Sequence, residues 1–365
     1  MNKLEYKEIA AFHPGYYIAD IIDDMGISQD EFATRMGTTG KTLSKLVNGQ
    51  TNLSNDLAQK LATMLGTSIE VWTNLQSEYD RKKIEIDQQK QLDEQEKIVS
   101  MIDYSYFVKV AKLAETRKSS EKVSNLCSFF KVSDLRIMLE PDFLVNFRSA
   151  TSLSNEKKLI NARAWLQTAI NFSKNMSVNI FDASKLRQFL PEIRNMTRQG
   201  PEVFMPRLHK IFAECGIAFV LLPHLKNSGI NGAVKWSDAN HVMLALNDRR
   251  CYADTFWFSL FHEIKHVLQQ KIKTVFISSD SEQIDQINRA LEEDADKFAQ
   301  DYLIPPDAYR RFSPNRYTSD AEIIAFAQQI GVHPGVVAGR LQHDRIIAQN
   351  RCSKLKVQYR IIVQE

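Results

Sequence analysis

Two histidines four residues apart, with a glutamate directly after the first, are the residues whose spacing most directly implies chemistry. They are His262, Glu263 and His266, within WFSLFHEIKHVLQQ at 257–270. On a helix, a spacing of four stacks both imidazoles on one side. Two nitrogen ligands need that geometry to share a metal ion. Glu263 can reach a water on the metal without binding the metal. A catalytic zinc site takes three protein ligands and leaves one position open. The third ligand is offered by EEDADKFA at 292–299, where Glu292 and Asp296 lie four apart on one predicted helical face. Glu292 would join His262 and His266 around Zn2+, and Asp296 would orient a ligating histidine. The expected chemistry is hydrolysis of a peptide bond. Glu263 would take a proton from water and pass it to the leaving amine. The oxyanion donor stays open among His224, His241, Tyr302 and Tyr309. The plain alternatives are two surface histidines on an amphipathic helix and a solvated acidic face.

These groups need a scaffold to hold them. Trp257, Leu260, Phe261, Ile264 and Leu268 recur at helical spacing, predicting an apolar stripe opposite the histidines. Upstream, Ala218 to Leu222 and Val242 to Leu246 read as strands, with Ile230 to Trp236 between them as a third. Gly232 and Ala233 leave little bulk, so another backbone could approach there; the strand is either an edge that takes substrate as an added strand or a plain central strand. A segment rich in Ser and Asp separates the histidine helix from the Glu292 helix, which Pro305-Pro306 stops. Residues 320–342 predict one or two closing helices.

The N-terminal stretch reads as five short helices. Ser28-Gln29-Asp30-Glu31 is written as a capping box opening a helix that runs to Met36. Gly37 makes the turn, and a second helix spans about Thr39 to Asn48, stopped by Gly49. Phe32, Met36, Leu43 and Leu46 face inward, with small Ala33 where helices cross. This is a helix-turn-helix by spacing, and an ordinary helical corner is the alternative. Gln29, Thr39, Lys41, Thr42, Ser44, Lys45 and Asn48 would contact phosphates and base edges of operator DNA. Residues 1–80 hold six Lys or Arg against eleven Asp or Glu, yet 32–55 contain Arg35, Lys41 and Lys45 and no acid. So small a basic patch implies modest affinity per domain, hence a homodimer on a palindromic site.

Composition limits the remaining classes. The chain has 365 residues, 44% hydrophobic and 25% charged, with a net charge of +3. These values predict a multidomain globular protein without global polybasic character. No apolar run approaches the length of a membrane helix, and the N-terminus lacks a signal-peptide core, so a cytoplasmic location without membrane contact is expected. Cys127, Cys215, Cys251 and Cys352 form no CxxC pair and suit a reducing compartment as core thiols. Residues 80–97 are almost all charged or Gln, which suggests a solvated helix or linker. Beyond it, Val123, Leu126, Cys127 and Phe130, then Ala162, Trp165, Leu166 and Ala169, form helical stripes.

Two family resemblances cover most of the chain. His13-Pro14-Gly15, the helix-turn-helix, and Leu65-Gly66-Thr67-Ser68 leading to Trp72-Thr73-Asn74-Leu75-Gln76 resemble HigA-type antitoxins of the lambda-repressor-like class. From about Leu208, through FWFSLFHEIKH and EEDADKFAQDYLIP to HPGVVAGRLQHD, the chain resembles ImmA/IrrE metallopeptidases, most of all long members with a HigA-like domain in front. The fold class implied is multidomain: an all-α helix-turn-helix DNA-binding domain at 1–80, a helical connector at 81–200, and an α+β zincin-like metallopeptidase domain at 201–365. In that family His262, His266 and Glu292 match the zinc ligands and Glu263 the catalytic glutamate, and relatives cleave a repressor. The resemblance therefore implies a regulator whose zinc endopeptidase cuts a regulatory protein or the chain itself, in a toxin–antitoxin or mobile-element setting. The alternative is a non-catalytic antitoxin whose peptidase-like body only binds a cognate toxin. One residue departs from the pattern: Lys265 stands before His266 where the family usually has Gly. Its ammonium either opposes the metal and lowers the basicity of Glu263, or reaches solvent and has little effect.

Overall fold

The structure is a computed structural model. It describes residues 2–140, 143, 156–269, 275–279, 286–312 and 317–361, with backbone alone at 275–279 and 286–288. By its internal contacts the chain divides into two compact units, 1–97 and 98–365.

The first unit opens with an antiparallel hairpin, β1 (Lys3–Tyr6) and β2 (Ile9–Phe12). The helical reading missed it, because four-residue strands are too short to show an alternating pattern. The helices α1 (Pro14–Met25), α2 (Gln29–Arg35), α3 (Gly40–Val47) and α4 (Asn55–Leu65) follow. The fifth helix, α5, runs Ile69–Met101 without a break. The boundary expected at 80 therefore falls inside a helix. Nothing in the charged stretch 80–97 breaks a helix, since its Glu, Lys and Gln are all good helix formers.

The core of α1 to α4 is built from Ile18, Phe32, Leu43, Leu46 and Leu61, all fully buried. His13 caps α1 by accepting from the Gly15 N–H at 3.0 Å. Gly15 is required by packing: a Cβ there would lie 2.1 Å from the Leu46 carbonyl oxygen and 2.9 Å from Val47 Cα. The hairpin lies on α5 through Ala11, Tyr79 and Ile86. Asp93 secures it, accepting from Tyr6 Oη at 2.6 Å and Lys7 Nζ at 2.7 Å.

The second unit begins with α6 (Tyr104–Ala111), α7 (Ser119–Phe130) and α8 (Glu156–Ser173). Next come α9 (Ala183–Asn195), α10 (Pro201–Glu214), β3 (Ile217–Leu222), β4 (Ile230–Trp236) and β5 (Val242–Asn247). The chain continues with α11 (Ala253–Gln269), β6 (Val275–Ser279), α12 (Gln286–Leu303), α13 (Pro306–Phe312), α14 (Asp320–Ile330) and α15 (Pro334–His343). The four strands form a mixed sheet in the order β3-β5-β4-β6.

The structure decides between the two readings of β4 and shows what residues 98–200 pack against. Residues 98–200 fall in the same compact unit as 201–365. The helix α8 packs on β3 and is buried at every position from Leu159 to Ala169, and Trp165 Nε1 donates to the Pro223 carbonyl at 3.2 Å. β4 is an interior strand, paired antiparallel with β5 and with β6, so it has no free edge for a substrate strand. Part of the Ser- and Asp-rich segment is β6; 270–274 and 280–285 lie outside the described residues. Among the described residues, no helix is long and apolar enough to cross a membrane.

Two predictions follow from the first unit. Gly15→Ala forces a methyl into a backbone carbonyl, so thermal unfolding of the first unit should show a loss of about 1–3 kcal/mol. The Asp93 carboxyl is held down to about 2 by its hydrogen bonds from Lys7, Tyr6 and Gln89. A depressed carboxyl stabilises fully above the unfolded value of about 4, and that support is gone once pH has fallen through about 2. Hydrogen exchange of the hairpin amides should speed up across that window in the native protein, and Asp93→Asn should remove the dependence.

Candidate functional site

The histidine side of α11 is buried rather than wet, and no residue from Ala253 to Gln269 is exposed. Trp257, Leu260, Phe261, Ile264 and Val267 are fully buried, and His262, Glu263 and His266 are buried with them. Its neighbours are β4, β5, α12 and α15. Ala295 and Ala299 on α12 are fully buried, and their small side chains let α12 come close to α11. That approach brings Glu292 and Asp296 to the histidines.

Three ligand atoms converge. His262 Nε2 and His266 Nε2 are 2.9 Å apart, and the Glu292 oxygens lie 3.2 Å and 3.4 Å from them. His262 Nδ1 faces Asp296 Oδ1 at 2.8 Å, and His266 Nδ1 faces Gln269 Oε1 at 2.9 Å. An Nδ1 that donates to a carboxylate or amide oxygen leaves its Nε2 as a lone pair. Two such lone pairs and a carboxylate cannot sit together in a buried space unless a cation or a proton lies between them. Burial opposes a charged His262, yet the hydrogen bonds to Asp296 and Glu292 and the charge of Glu263 raise it to about 10. Burial likewise opposes ionised Glu292, but contact with the two histidines lowers it to about 2. His262, His266 and Glu292 are the described residues grouped so that they could hold a metal ion. The two Glu292 spacings match zinc, because bonds of 2.0–2.1 Å in a tetrahedron set ligand atoms about 3.3 Å apart, and the histidine nitrogens are closer, at 2.9 Å.

Glu263 lies beside the group and packs against β4. Gly232 gives it room: a Cβ at 232 would meet Glu263 Oε1 at 2.4 Å. The close approach expected at Gly232 is therefore that of a side chain, not of another backbone. Lys265 does not point into the site. Its Nζ pairs with Asp294 Oδ2 at 3.1 Å and lies over the Phe298 ring at 5.5 Å from the centroid. Gln269 and Asp294 were missed by the sequence reading. The signal for Gln269 was its place one helical turn after His266; for Asp294 there was none.

Of the four candidate oxyanion donors, His241 and Tyr309 are engaged elsewhere. His241 Nδ1 faces Asp238 at 2.9 Å in the β4–β5 turn. Tyr309 Oη donates to Asp344 at 2.9 Å, and the Tyr302 ring stacks on Phe261 at 5.2 Å. His224 lies after β3, where its backbone N–H donates to Asp248 at 2.9 Å and its ring Nδ1 is buried without a hydrogen-bond partner.

In the first unit, α2 and α3 form the turn. Ser28 accepts from the Glu31 N–H at 3.2 Å, but Glu31 is drawn to Arg35, so the capping box is only half made. Thr39 caps α3, accepting from the Thr42 N–H at 3.1 Å, with the two hydroxyl oxygens 2.9 Å apart. Leu43, Leu46 and Val47 are buried, whereas Lys41, Lys45 and Asn48 are exposed and Thr42 and Ser44 half-buried. Asn48 folds back to donate to the Ser44 carbonyl at 2.8 Å. Gln29 is exposed at the start of α2. The face of α3 turned away from the core thus carries Lys41 and Lys45, while Arg35 is committed to Glu31.

Metal analysis of the purified protein should find about one zinc per chain, lost in His262→Ala. Asp296→Ala should keep the fold and weaken zinc about 10–100-fold.

Comparison with known proteins bears on the first unit. Residues 18–72 match the family described as Helix-turn-helix. The HTH-type transcriptional regulator YddM of Escherichia coli K12 is 33% identical over 72 residues, which are 20% of this chain and 77% of the relative. Virulence-associated protein A' of Dichelobacter nodosus is 34% identical over 73 residues, 20% of this chain and 64% of the relative. Among solved structures, a HigA-family addiction module antidote protein of Coxiella burnetii is 27% identical, spanning 23% of this chain and 91% of its own, with a TM-score of 0.21. A Pseudomonas aeruginosa protein solved with its operator DNA is 28% identical, spanning 23% and 90%, with a TM-score of 0.21. With the turn at Gly37, the buried Phe32, Leu43 and Leu46, and a relative matched over most of its length, the chain belongs through its N-terminal unit to the helix-turn-helix family.

Proposed function

We propose that this protein is a DNA-binding regulator of the helix-turn-helix type that carries a zinc-dependent endopeptidase in its second unit. The observation that carries the peptidase reading is the convergence of buried His262 and His266 with half-buried Glu292, with Glu263 on the same helix as the histidines. Zinc held there would act as a Lewis acid and lower the pKa of a water. Glu263 Oε1, lodged beside Gly232, would take a proton from the attacking water and return it to the leaving amine. Asp296 holds the His262 ring so that Nε2 points at the other two ligand atoms. The interior place of β4 means that an extended substrate pairs elsewhere than along that strand. The substrate is a peptide bond in a regulatory protein or in this chain. The reading of the first unit rests on Lys41 and Lys45 on the outward face of α3, where they would meet phosphates of operator DNA.

Two measurements test the two halves separately. Zinc-loaded protein, incubated alone and with proteins encoded beside its gene, should yield discrete fragments by mass spectrometry. Glu263→Gln should keep the zinc and lose the cleavage by about 100-fold or more. Cleavage that persists in this variant would reject the assigned base. Zinc retained with no cleavage of any partner would favour an antitoxin whose body only binds a toxin. For DNA, the wild type should bind the region upstream of its own gene in a salt-dependent way. Lys41→Ala with Lys45→Ala should weaken it and reduce the salt slope by about 2, one unit per lost phosphate contact.

A further inference from the structure

The lysine that departs from the family pattern ends a continuous polar chain that reaches a ligand atom. Lys265 Nζ pairs with Asp294 Oδ2 at 3.1 Å. The same oxygen accepts from Gln269 Nε2 at 3.1 Å, and that amide also donates to the Leu291 carbonyl at 3.0 Å. Gln269 Oε1 lies 2.9 Å from His266 Nδ1. A carboxylate and a backbone carbonyl can only accept, so both protons of the Gln269 amide are spent on α12. Its oxygen must then face the imidazole, which can answer only by donating from Nδ1. His266 is thereby held with its lone pair on Nε2, the atom 2.9 Å from His262 Nε2 and 3.4 Å from Glu292 Oε1. The chain also runs from α11 to α12 and so ties the helix bearing two ligands to the helix bearing the third.

Resting on the zinc reading above, we infer that Lys265, Asp294 and Gln269 are positioning residues that fix the tautomer and ring orientation of His266 for metal binding. Lys265 then supports the metal. A bare electrostatic argument gives the opposite sign, since an ammionium near the site should repel a divalent cation. The geometry decides between them: the charge is neutralised by Asp294, half-exposed at 50%, and its stem lies along Phe298. What remains of its effect is to keep Asp294 oriented toward Gln269. The loss expected on breaking such an outer partner is about 10–100-fold in metal affinity.

The experiment is a competition titration with zinc and a chelator on the full-length protein, together with thermal unfolding of the metal-free form. Gln269→Ala should weaken zinc by about 10–100-fold and Lys265→Ala by up to about tenfold, with Lys265→Arg restoring most of the loss. Melting of the metal-free variants should stay close to wild type, which a purely structural role would not allow. Nitrogen shifts of His266 in the zinc form should show a protonated Nδ1 that is disturbed in Gln269→Ala. If Lys265→Ala binds zinc as tightly as wild type or more tightly, this inference is overturned while the metal centre stands. If wild type binds no more zinc than His262→Ala, the metal centre itself falls and the inference falls with it.

Discussion

Two buried imidazole lone pairs and a half-buried carboxylate, within 2.9–3.4 Å of one another, are the constraint around which the second unit is arranged. Such a group is unfavourable unless a cation or proton joins it. The scaffold keeps it assembled in three ways. Fully buried apolar residues of α11 fix the helix that carries the histidines. Ala295 and Ala299 allow α12 to approach. Asp296 and Gln269 hold the far nitrogens of both rings. Each of these is a different physical contribution, and removing any one leaves ligand atoms without a defined direction.

The first unit follows another logic. Its chemistry lies on an exposed face, and the core has only to hold α3 with that face outward. Gly15 does so by letting α1 cross the backbone of Leu46 and Val47 without a Cβ between them. Thr39 starts α3 with its own side chain, leaving Lys41 and Lys45 to solvent. The acidic surplus of residues 1–80 does not contradict a nucleic-acid face, because charge acts locally over about 10 Å at moderate salt.

Lys265 illustrates how a sequence-level departure changes meaning once its neighbours are known. Taken alone it is a positive charge next to a candidate metal site. In the fold its charge is met by Asp294, and Asp294 is shared with the amide that faces His266. An ion pair of this kind, partly exposed, contributes little to global stability. Its consequence is one of direction rather than energy, since it sets which way the Gln269 amide lies.

The sequence alone determined what depends on spacing along one helix. His262 and His266 at four residues, Glu292 and Asp296 at four residues, and the turn residues around Gly37 are local patterns, and a helical period of 3.6 converts them directly into shared faces. The strands at Ala218 and Val242 were legible as apolar runs of the right length. Tertiary structure decided everything that needs two elements to meet. Whether β4 is an edge or an interior strand depends on β6, which the sequence did not reveal. Whether 98–200 stands apart depends on α8 packing on β3. Whether Asp294 matters depends on the approach of α12 to α11, about 25 residues away along the chain, and no period in the sequence encodes a contact between two helices.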